Sequence, residues 1–492
     1  MSGGGRLPPM KRNDGYINER LIPALMELRT DAFAVENELR AEIDRVHIGY
    51  TDSARNLAHY LAMRRSDIRE LQEELTFLGL SSLGRSESCV MSTLENVIDT
   101  LHRIEGRENT GVGSVPTTVD ARTGPMYLVD HARQLLGPTD AQRNARIMVT
   151  MPSEAATDPN VIHDLVDAGM DIMRINCAHD DADAWLAMIE HLRQAERVTQ
   201  RYCKVYVDLA GPKLRVGPME RVRVHSGDRL RVGRGGDGVI PCTLPEVFGS
   251  VHEGEAIWFD DGKIGGVICS VDEEGFNVDV TRVKSGGAWL REEKGINLPD
   301  TKITIDALTE TDLHNLAVMG PHADTIGMSF VRNDRDVASL FAHMRALRLQ
   351  NCGVVVKIET RDAFDHLPRI LLEGLTSPPF GIMVARGDLA VEVGYERLAE
   401  VQEEILWLCE AAHVPVIWAT QVLEGMAKKG TPTRAEVSDA AMSVRAECVM
   451  LNKGPYIVDT VRFLSDVLNR MAAHQSKKRT LLRRLHVSDA VV

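Results

Sequence analysis

The segments GVVVKIE (353–359) and GIMVARGDLAVE (381–392) decide the fold, because each has an apolar run that ends in charged side chains. Such near-continuous runs are typical of parallel strands that are covered on both faces. Six more occur, at 146–151, 171–176, 203–209, 324–330, 415–420 and 447–452. Helical patterns lie between them, at 159–168, 184–200, 309–319, 334–348, 362–373, 396–412, 434–446 and 457–472. Eight alternations of strand and helix predict an α/β fold, a (β/α)8 TIM barrel.

One strand-to-helix connection of this barrel is too long for a loop. Within it, RVRVHSGDRLRVG, EAIWFDDGKIGGVICSV and FNVDVTRVKSGG alternate apolar and polar residues between glycine turns, which predicts a small antiparallel β domain over 216–298. Inserted in a barrel loop, this domain can cover the C-terminal mouth as a lid. Its glycines Gly233, Gly235 and Gly238 fit G-x-G-x-x-G. We interpret them as a turn, because no helix follows, as a dinucleotide site requires.

Residues 1–140 are predicted to be an N-terminal helical domain with a linker. Apolar residues recur there at helical spacing, namely Leu21, Ile22, Leu25, Leu28, Leu39, Ile43, Val46, Leu71, Leu75 and Leu78. The stretch 106–125 is rich in Gly, Thr and Pro, which indicates the linker. No catalytic motif occurs in this part, which favours a packing or interaction module.

Charge and cysteine content narrow the classes of partner. Lys and Arg number 57 against 71 Asp and Glu, a formal net charge of −14 that argues against nucleic acid. No window approaches the roughly 18 apolar residues of a membrane span, and the N-terminus lacks the apolar core of a secretory signal. The eight cysteines are widely spaced, without C-x-x-C. We therefore expect a cytoplasmic protein with reduced thiols and no membrane partner.

Polar side chains follow nearly every predicted strand at its C-terminal end, where barrels place their active sites. They are Arg174, Asn176, Asp208, Ser329, Lys357, Glu359, Arg386, Asp388, Thr420 and Gln421. Glu359 and Asp388 offer two hard oxygen ligands to one divalent cation, as Mg²⁺ prefers. Lys357 precedes Glu359 by two residues, so both point to one face. With Arg174, this lysine suggests a phosphoryl group whose charge is neutralised in transfer. A simple Lys357–Glu359 ion pair is the alternative.

At these residues the chain resembles the pyruvate kinase family. GIMVARGDLAVE resembles its metal-binding segment, and ATQVLEGM with PTRAEVSDAA (419–426, 432–441) resembles its signature. Further matches in order are MRINCAH (173–179), DLAGPKLR (208–215), WFDDGKI (258–264), KGINLPD (294–300) and VVKIET (355–360). The resemblance covers about 146 to 452. It implies Mg²⁺-dependent transfer of phosphate from phosphoenolpyruvate to ADP, which gives pyruvate and ATP.

The resemblance also implies a role for each matching residue. Glu359 and Asp388 would hold Mg²⁺ or Mn²⁺, and Arg174 would bind the phosphate. Lys357 would neutralise the transferring phosphoryl group and the enolate oxygen. The carboxylate of phosphoenolpyruvate would lie against the backbone of Gly387 and Asp388 and the Thr420 hydroxyl. The nucleotide side would be formed by Asn176, His179, Asp208, Arg215 and Lys294.

Two loops on the nucleotide side depart from the family pattern. TMPSEA (150–155) stands where members usually carry T-I-G-P-A-S, and NKGPY (452–456) stands where they usually carry S-G-E-T-A-K-G. Three interpretations therefore stay open: phosphate transfer to ADP, a phosphoenolpyruvate or pyruvate-enolate enzyme with another acceptor, and a non-catalytic binding protein. We expect the barrel at 141–215 and 299–475. A basic tail at 476–492 stands where the family has a C-terminal regulatory domain, which we expect to be missing.

A last departure concerns the monovalent cation. Many members bind K⁺ through oxygens that include a Ser and an Asp; the Ser position is Ala178 here. Lys213 stands where K⁺-dependent members usually have Glu. We expect its ammonium, a compact charge, to replace the ion near Asp208, so that K⁺ is not required. The alternative is that Lys213 pairs with a carboxylate on the lid. We also expect a homo-oligomer.

Overall fold

The computed structural model describes residues 16–80, 82–106, 119–139, 143–477 and 479–480. Contacts divide the chain into two compact units, one of residues 1–128 with 410–413 and one of residues 129–409 with 414–492. Most of the linker predicted over 106–125, and all of the predicted tail but a few residues at its start, lie outside the described residues. The domain boundaries given above stay predictions.

The first unit is helical, as its apolar spacing predicts. Helix α1 packs against α3 and α5, and Leu25, Leu57 and Leu94 are fully buried. Leu78, predicted on the apolar face, lies at the end of α4 and is 36% exposed. The helices are α1 (Ile22–Glu38), α2 (Arg40–Ile43), α3 (Thr51–Arg64), α4 (Arg69–Phe77) and α5 (Val90–Ile104), and α6 (Thr123–Leu136) contains the boundary between the units.

A buried amide fixes the junction of two of these helices. The side-chain nitrogen of Asn56 in α3 donates to the Glu87 carbonyl at 2.7 Å. Its side-chain oxygen accepts from the backbone N–H of Val90 at 2.9 Å, the first residue of α5. The side chain thereby satisfies one of the free N–H groups at a helix start.

The second unit holds both strands and helices. Its strands are β1 (Arg146–Thr150), β2 (Ile172–Asn176), β3 (Lys204–Leu209), β4 (Val222–Val224), β5 (Arg229–Gly233), β6 (Val239–Pro241), β7 (Ala256–Phe259), β8 (Ile264–Asp272), β9 (Gly275–Val283), β10 (Ala288–Leu290), β11 (Ile296–Asn297), β12 (Thr325–Met328), β13 (Gly353–Ile358), β14 (Phe380–Ala385), β15 (Val416–Ala419), β16 (Cys448–Leu451), β17 (Gln475–Ser476) and β18 (Arg479–Thr480). Its helices are α7 (Pro159–Ala168), α8 (Ala182–Thr199), α9 (Glu310–Met319), α10 (Asp334–Ala346), α11 (Arg361–Asp365), α12 (Leu367–Gly374), α13 (Arg386–Val393), α14 (Leu398–Ala411), α15 (Glu424–Lys429), α16 (Arg434–Met442) and α17 (Ile457–Ala472).

Eight of these strands close into a parallel barrel, which confirms the predicted fold class. Their order around the barrel is β1, β2, β3, β12, β13, β14, β15 and β16, and β16 pairs back to β1. Every barrel strand lies within two residues of its predicted run. The C-terminal ends of all eight strands therefore meet at one mouth.

The barrel interior is filled with side chains, and its packing leaves two polar atoms without partners. Tyr206 is fully buried, in the same core cluster as Met148 and Met383. Its hydroxyl and the Oδ1 atom of Asp208 have no hydrogen-bond partner among the described residues. Gly327 of β12 faces both atoms, because a Cβ placed there would lie 2.2 Å from the Tyr206 hydroxyl and 2.6 Å from Asp208 Oδ1.

The long insertion forms the predicted β domain with its own core, which includes Val232, Phe259 and Phe276. Six strands pair in the order β11, β7, β8, β9, β5 and β6, and β10 pairs with β4. The pairing is not wholly antiparallel as predicted, because β5 and β6 run parallel. The glycine turn predicted after Gly233 does lead into the short strand β6, and not into a helix.

Two further features of the chain concern membrane-spanning helices and cysteines. Among the described residues, no helix combines the length and apolar character that a bilayer crossing requires. All eight cysteines are free; six are buried, and Cys269 and Cys352 are half-buried.

Replacing Gly327 by alanine tests how tightly the barrel is packed. The added methyl overlaps Tyr206 and Asp208, so we expect a loss of about 1–3 kcal/mol in the free energy of unfolding. Gly249→Ala is the matched control, since nothing lies within 4 Å of a Cβ there. Urea unfolding followed by tryptophan fluorescence measures both. Equal midpoints for the two variants would contradict this packing.

Candidate active site

A buried carboxylate joins two cations at the barrel mouth. Arg174, on β2, donates from Nε to Asp208 Oδ2 at 2.9 Å, and its Nη2 contacts the same oxygen. Its Nη1 donates to the Thr150 hydroxyl at 2.7 Å. The Nζ atom of Lys357, on β13, lies 3.5 Å from Asp208 Oδ2. The sequence predicted these strand ends to meet, and they do so around one carboxylate oxygen.

Lys357 extends this network to a second carboxylate. Its ammonium donates to the Ser329 hydroxyl at 2.8 Å and lies 3.1 Å from Glu359 Oε1. The two side chains share a face, as their spacing predicted. Glu359 Oε2 accepts the backbone N–H of Phe330 at 2.8 Å. Phe330 has a left-handed backbone, with φ +55.

Burial and charge set the protonation states of this network. Burial opposes ionisation of Asp208, but Lys357 and Arg174 outweigh it, so the pKa of Asp208 is lowered. Burial also opposes the charge on Lys357, but Asp208 and Glu359 outweigh it, so the pKa of Lys357 is raised. Lys357 therefore stays an ammonium at neutral pH. The pKa of Glu359 is raised, chiefly by burial and also by Asp388.

Lys213 forms an ion pair with Asp388 of the barrel and none with Asp208 among the described residues, so its predicted role near Asp208 stays a prediction. Its Nζ sits between both carboxylate oxygens of Asp388, at 2.8 and 2.9 Å, and 5.7 Å from the centre of the Phe330 ring. Gly211 shapes the path of the chain that leads to this ion pair. Its φ of +67 brings the backbone against Ser329, at the end of β12. The segment after β3 therefore crosses β12 and places Lys213 near the end of β14.

The two predicted metal ligands have the chemistry of a Mg²⁺ site. Glu359 follows β13, Asp388 lies in the first turn of α13 after β14, and these strands are neighbours. The charge on Asp388 acts on Glu359, so the carboxylates are within electrostatic range. In the described part of the chain, no three His, Cys, Asp or Glu side chains gather as a cage. Two carboxylates suit Mg²⁺, which takes its other ligands from water and substrate oxygens.

The loop after β15 is strained and tied to α13. Thr420, Gln421 and Leu423 all have left-handed backbones, with φ of +65, +59 and +48. Such residues cluster at functional sites. The Thr420 hydroxyl accepts the backbone N–H of Gly387 at 2.8 Å. Arg386 donates to the Ala419 carbonyl at 2.9 Å and the Thr420 carbonyl at 2.5 Å. Arg386, predicted at the mouth, therefore supports this loop.

A pocket of about 260 Å³ opens beside Arg174, where the nucleotide side was predicted. Asn176 and His179 line it, as predicted, but Asp208 does not. Burial lowers the pKa of His179, and the nearby charge of Lys453 lowers it further. The other lining residues are Thr150, Met151, Ile175, Asp180, Trp185, Met188, Glu424, Lys428, Asn452 and Lys453.

The remaining two nucleotide-side candidates lie where the lid meets the barrel. Arg215 donates from Nη1 to the Glu293 carbonyl at 2.9 Å. Lys294 forms an ion pair with Asp260 at 2.6 Å. Asp260 and its neighbour Asp261 both have left-handed backbones, with φ of +52 and +54. Neither Arg215 nor Lys294 lines the pocket beside Arg174.

Sequence reasoning missed several residues at or near this mouth. Lys453 and Trp185 line the pocket, and Phe330 supports Glu359. The departure at 452–456 was a signal for Lys453. No pattern in the sequence pointed to Trp185, which lies on α8 and donates from its ring N–H to the His179 carbonyl at 2.9 Å.

Comparison with known proteins agrees with this geometry. The sequence profile described as "Pyruvate kinase, barrel domain" matches residues 142–461. The chain is 32% identical to a pyruvate kinase of Agrobacterium vitis over 349 residues, which is 68% of this chain and 71% of that protein. It is 33% identical to one of Mycobacterium tuberculosis over 339 residues, 66% and 70% of the two chains. It is 36% identical to a pyruvate kinase of Methylorubrum extorquens over 321 residues, which is 63% of this chain and 64% of that protein.

The chain belongs to the pyruvate kinase family. It is therefore an enzyme of the phosphotransferase class, in a family that passes phosphate from phosphoenolpyruvate to ADP and generally uses Mg²⁺. The family binds phosphoenolpyruvate, pyruvate, ADP and ATP. The match spans the barrel and the inserted domain, which contain every candidate residue described above.

Proposed function

We propose that this chain moves the phosphoryl group of phosphoenolpyruvate to ADP at the buried network of Arg174, Asp208 and Lys357. The observation that supports this best is the Lys357 ammonium, held at the mouth between two carboxylates and a hydroxyl. The bond from phosphorus to the enol oxygen breaks, and a bond from phosphorus to the terminal phosphate oxygen of ADP forms. The enolate then takes up a proton at carbon and becomes pyruvate.

Two fixed cations would serve this transfer. Arg174 supplies a guanidinium cation, and the raised pKa of Lys357 keeps its side chain an ammonium. Arg174 would bind the phosphate, and Lys357 would neutralise the moving phosphoryl group and the enolate oxygen. Asp208 holds both cations in place, so little reorganisation accompanies the reaction. Such preorganised charge is the main contribution that proteins make to phosphoryl transfer.

Glu359 and Asp388 would hold Mg²⁺ or Mn²⁺. A divalent cation there supplies Lewis-acid stabilisation of the phosphoryl and enolate oxygens. Asp388 must share its oxygens between that cation and Lys213. The substrate carboxylate would lie against the backbone of Gly387 and Asp388, with the Thr420 hydroxyl as a further donor. The hydrogen bond from the Gly387 N–H holds that hydroxyl in place.

The acceptor would enter the pocket lined by Asn176, His179 and Lys453. Arg215 and Lys294 would approach it from the lid as the lid closes and excludes water. The replaced residues at 150–155 and 452–456 favour a second candidate, in which another phosphate acceptor takes the place of ADP. We further propose a cytoplasmic homo-oligomer.

Product analysis distinguishes these candidates. The full chain is incubated with phosphoenolpyruvate, Mg²⁺ and one nucleoside diphosphate at a time, and pyruvate and nucleoside triphosphate are measured together. We expect both to rise equally with ADP. Pyruvate without triphosphate would favour another acceptor. Formation of neither product, under varied metals and acceptors, would refute the proposal.

Lys357→Met tests the central charge. The change keeps much of the side-chain volume but removes the cation, so we expect turnover to fall by on the order of 10²–10³ or more. Circular dichroism should show an unchanged fold. Lys284→Met, on the exposed lid surface, is the matched control and should keep full activity. A folded Lys357→Met enzyme with a near wild-type rate would exclude the assigned role.

We also propose that activity does not require K⁺. Lys213 places its ammonium at Asp388, and a second monovalent cation nearby would be repelled by roughly a few kcal/mol. Rates are compared in K⁺ and in tetramethylammonium at equal ionic strength, and we expect them to agree. A drop of about tenfold or more without K⁺ would reject this. Lys213→Glu should lower the rate, and K⁺ should restore at most a part, because Ala178 lacks a hydroxyl oxygen.

A further inference from the structure

A second pocket, of about 340 Å³, lies where the lid joins the barrel, and none of the residues assigned above lines it. We call it the hinge pocket. Pro212 and Leu214, on the way into the lid, form one wall, and the returning segment 296–303 forms another. Phe330, Thr360 and Glu392 close it from the barrel side. Both chain crossings between lid and barrel therefore contact the same cavity.

The floor of the hinge pocket holds a buried carboxylate. Glu392, in α13, is only 9% exposed. Its Oε1 accepts the side-chain N–H of Asn297, on the lid strand β11, at 3.1 Å. No Lys, Arg or His of the described residues forms an ion pair with it. The guanidinium of Arg361 donates to the main-chain carbonyl of Glu392 at 3.0 Å, and the backbone of Arg361 forms a hydrogen bond with the Glu392 carboxylate.

A buried charge without an ion-pair partner is unfavourable, and the pKa of Glu392 reflects this cost. Burial raises the pKa of Glu392 to about 7 against the hydrogen bond from Asn297, and the charge of Asp388 adds to the rise while that of Arg361 opposes it. A cation delivered to this carboxylate would relieve the cost. The lining supplies apolar contact for the rest of a ligand, from Leu298, Ile303 and Phe330.

We propose that the hinge pocket binds a small organic cation, with its ammonium on Glu392 and its alkyl body against the apolar wall. The volume is that of a ligand site and much larger than a bare ion needs. Apart from Glu392, the lining carries both signs of charge, from Asp300, Asp362, Lys302, Arg332 and Arg361, so it selects no second charge. The two guanidinium groups already have carboxylate partners, Asp336 for Arg332 and Asp300 for Arg361. This inference goes beyond the proposed reaction and is tested by binding, without turnover.

Occupancy would couple to the lid. One oxygen of Glu392 already holds Asn297 of the lid, and the ligand would use the other while filling the space between the two crossings. Phe330, which closes the pocket, also donates its N–H to Glu359 and lies beside Lys213. A bound cation therefore stiffens the crossings, and with them the backbone next to the metal ligand Glu359.

Calorimetric titration of the full chain with n-butylammonium tests the site. We expect saturable binding with a dissociation constant on the order of a millimolar, as suits a ligand of this size. Butan-1-ol, butyrate and K⁺ at equal ionic strength are the matched probes and should bind at least about tenfold more weakly. Equal binding of the alcohol or butyrate, or saturation by K⁺ alone, would overturn the proposal. So would the lack of saturation by butylammonium.

Two variants locate the bound cation. Glu392→Gln keeps the acceptor for Asn297 but removes the charge, and should weaken butylammonium binding at least about tenfold. Ile303→Trp fills the pocket and should do the same by occlusion. Glu274→Gln, on an exposed lid turn, is the matched control and should bind like the wild type. The assignment is refuted if a folded Glu392→Gln chain binds butylammonium as well as the wild type does. If that variant does not fold, the same result with a folded Ile303→Trp chain refutes it.

Amide hydrogen exchange, measured with and without butylammonium, tests whether binding is coupled to the lid. With butylammonium bound, backbone amides of 213–216 and 296–303 should exchange more slowly, while those of the distant lid hairpin β8–β9 should not change. An equal effect in Glu392→Gln, or no slowing at the crossings, would contradict the coupling.

Discussion

The candidate active site depends on one shared oxygen, Asp208 Oδ2, which lies between the Arg174 guanidinium and the Lys357 ammonium. Two cations this close would repel each other inside a barrel with little water. The carboxylate makes their proximity favourable and orients both toward the mouth. Its position is in turn set from below by Tyr206 and by the absence of a side chain at Gly327. These two cations are thus fixed by core packing rather than by loops.

This dependence explains which parts of the site sequence reasoning could predict. Parallel strands end at a common mouth, so polar residues at strand ends had to meet, and Lys357 and Glu359 had to share a face. The partner of Lys213 depends on the path of a connection after β3. That path follows from the left-handed Gly211 and its contact with Ser329. A strand pattern contains no information about such a crossing.

The fold itself was predictable to within two residues at each barrel strand, because burial on both faces imposes unbroken apolar runs. The lid was less predictable than the barrel. Its alternation of apolar and polar residues gave strands but not their directions, and the parallel β5–β6 pair follows from the geometry of the glycine-rich connection after Gly233. The environment of Glu392 could not be predicted either, since a glutamate four residues after Asp388, the proposed metal ligand, looks like part of the same motif. Only the three-dimensional arrangement separates it from the site.

The cysteines, noted above only as free thiols, give the molecule a built-in reporter of opening. Burial raises the pKa of Cys177 to about 12 and that of Cys242 to about 11, and raises those of Cys203, Cys409 and Cys448 as well. Since the thiolate is the reactive form, these side chains are shielded from alkylation and oxidation while the unit stays closed. Cys242 lies in the lid core and Cys448 in the barrel core. The rates at which these two thiols become reactive would therefore time the opening of lid and barrel separately, without any added label.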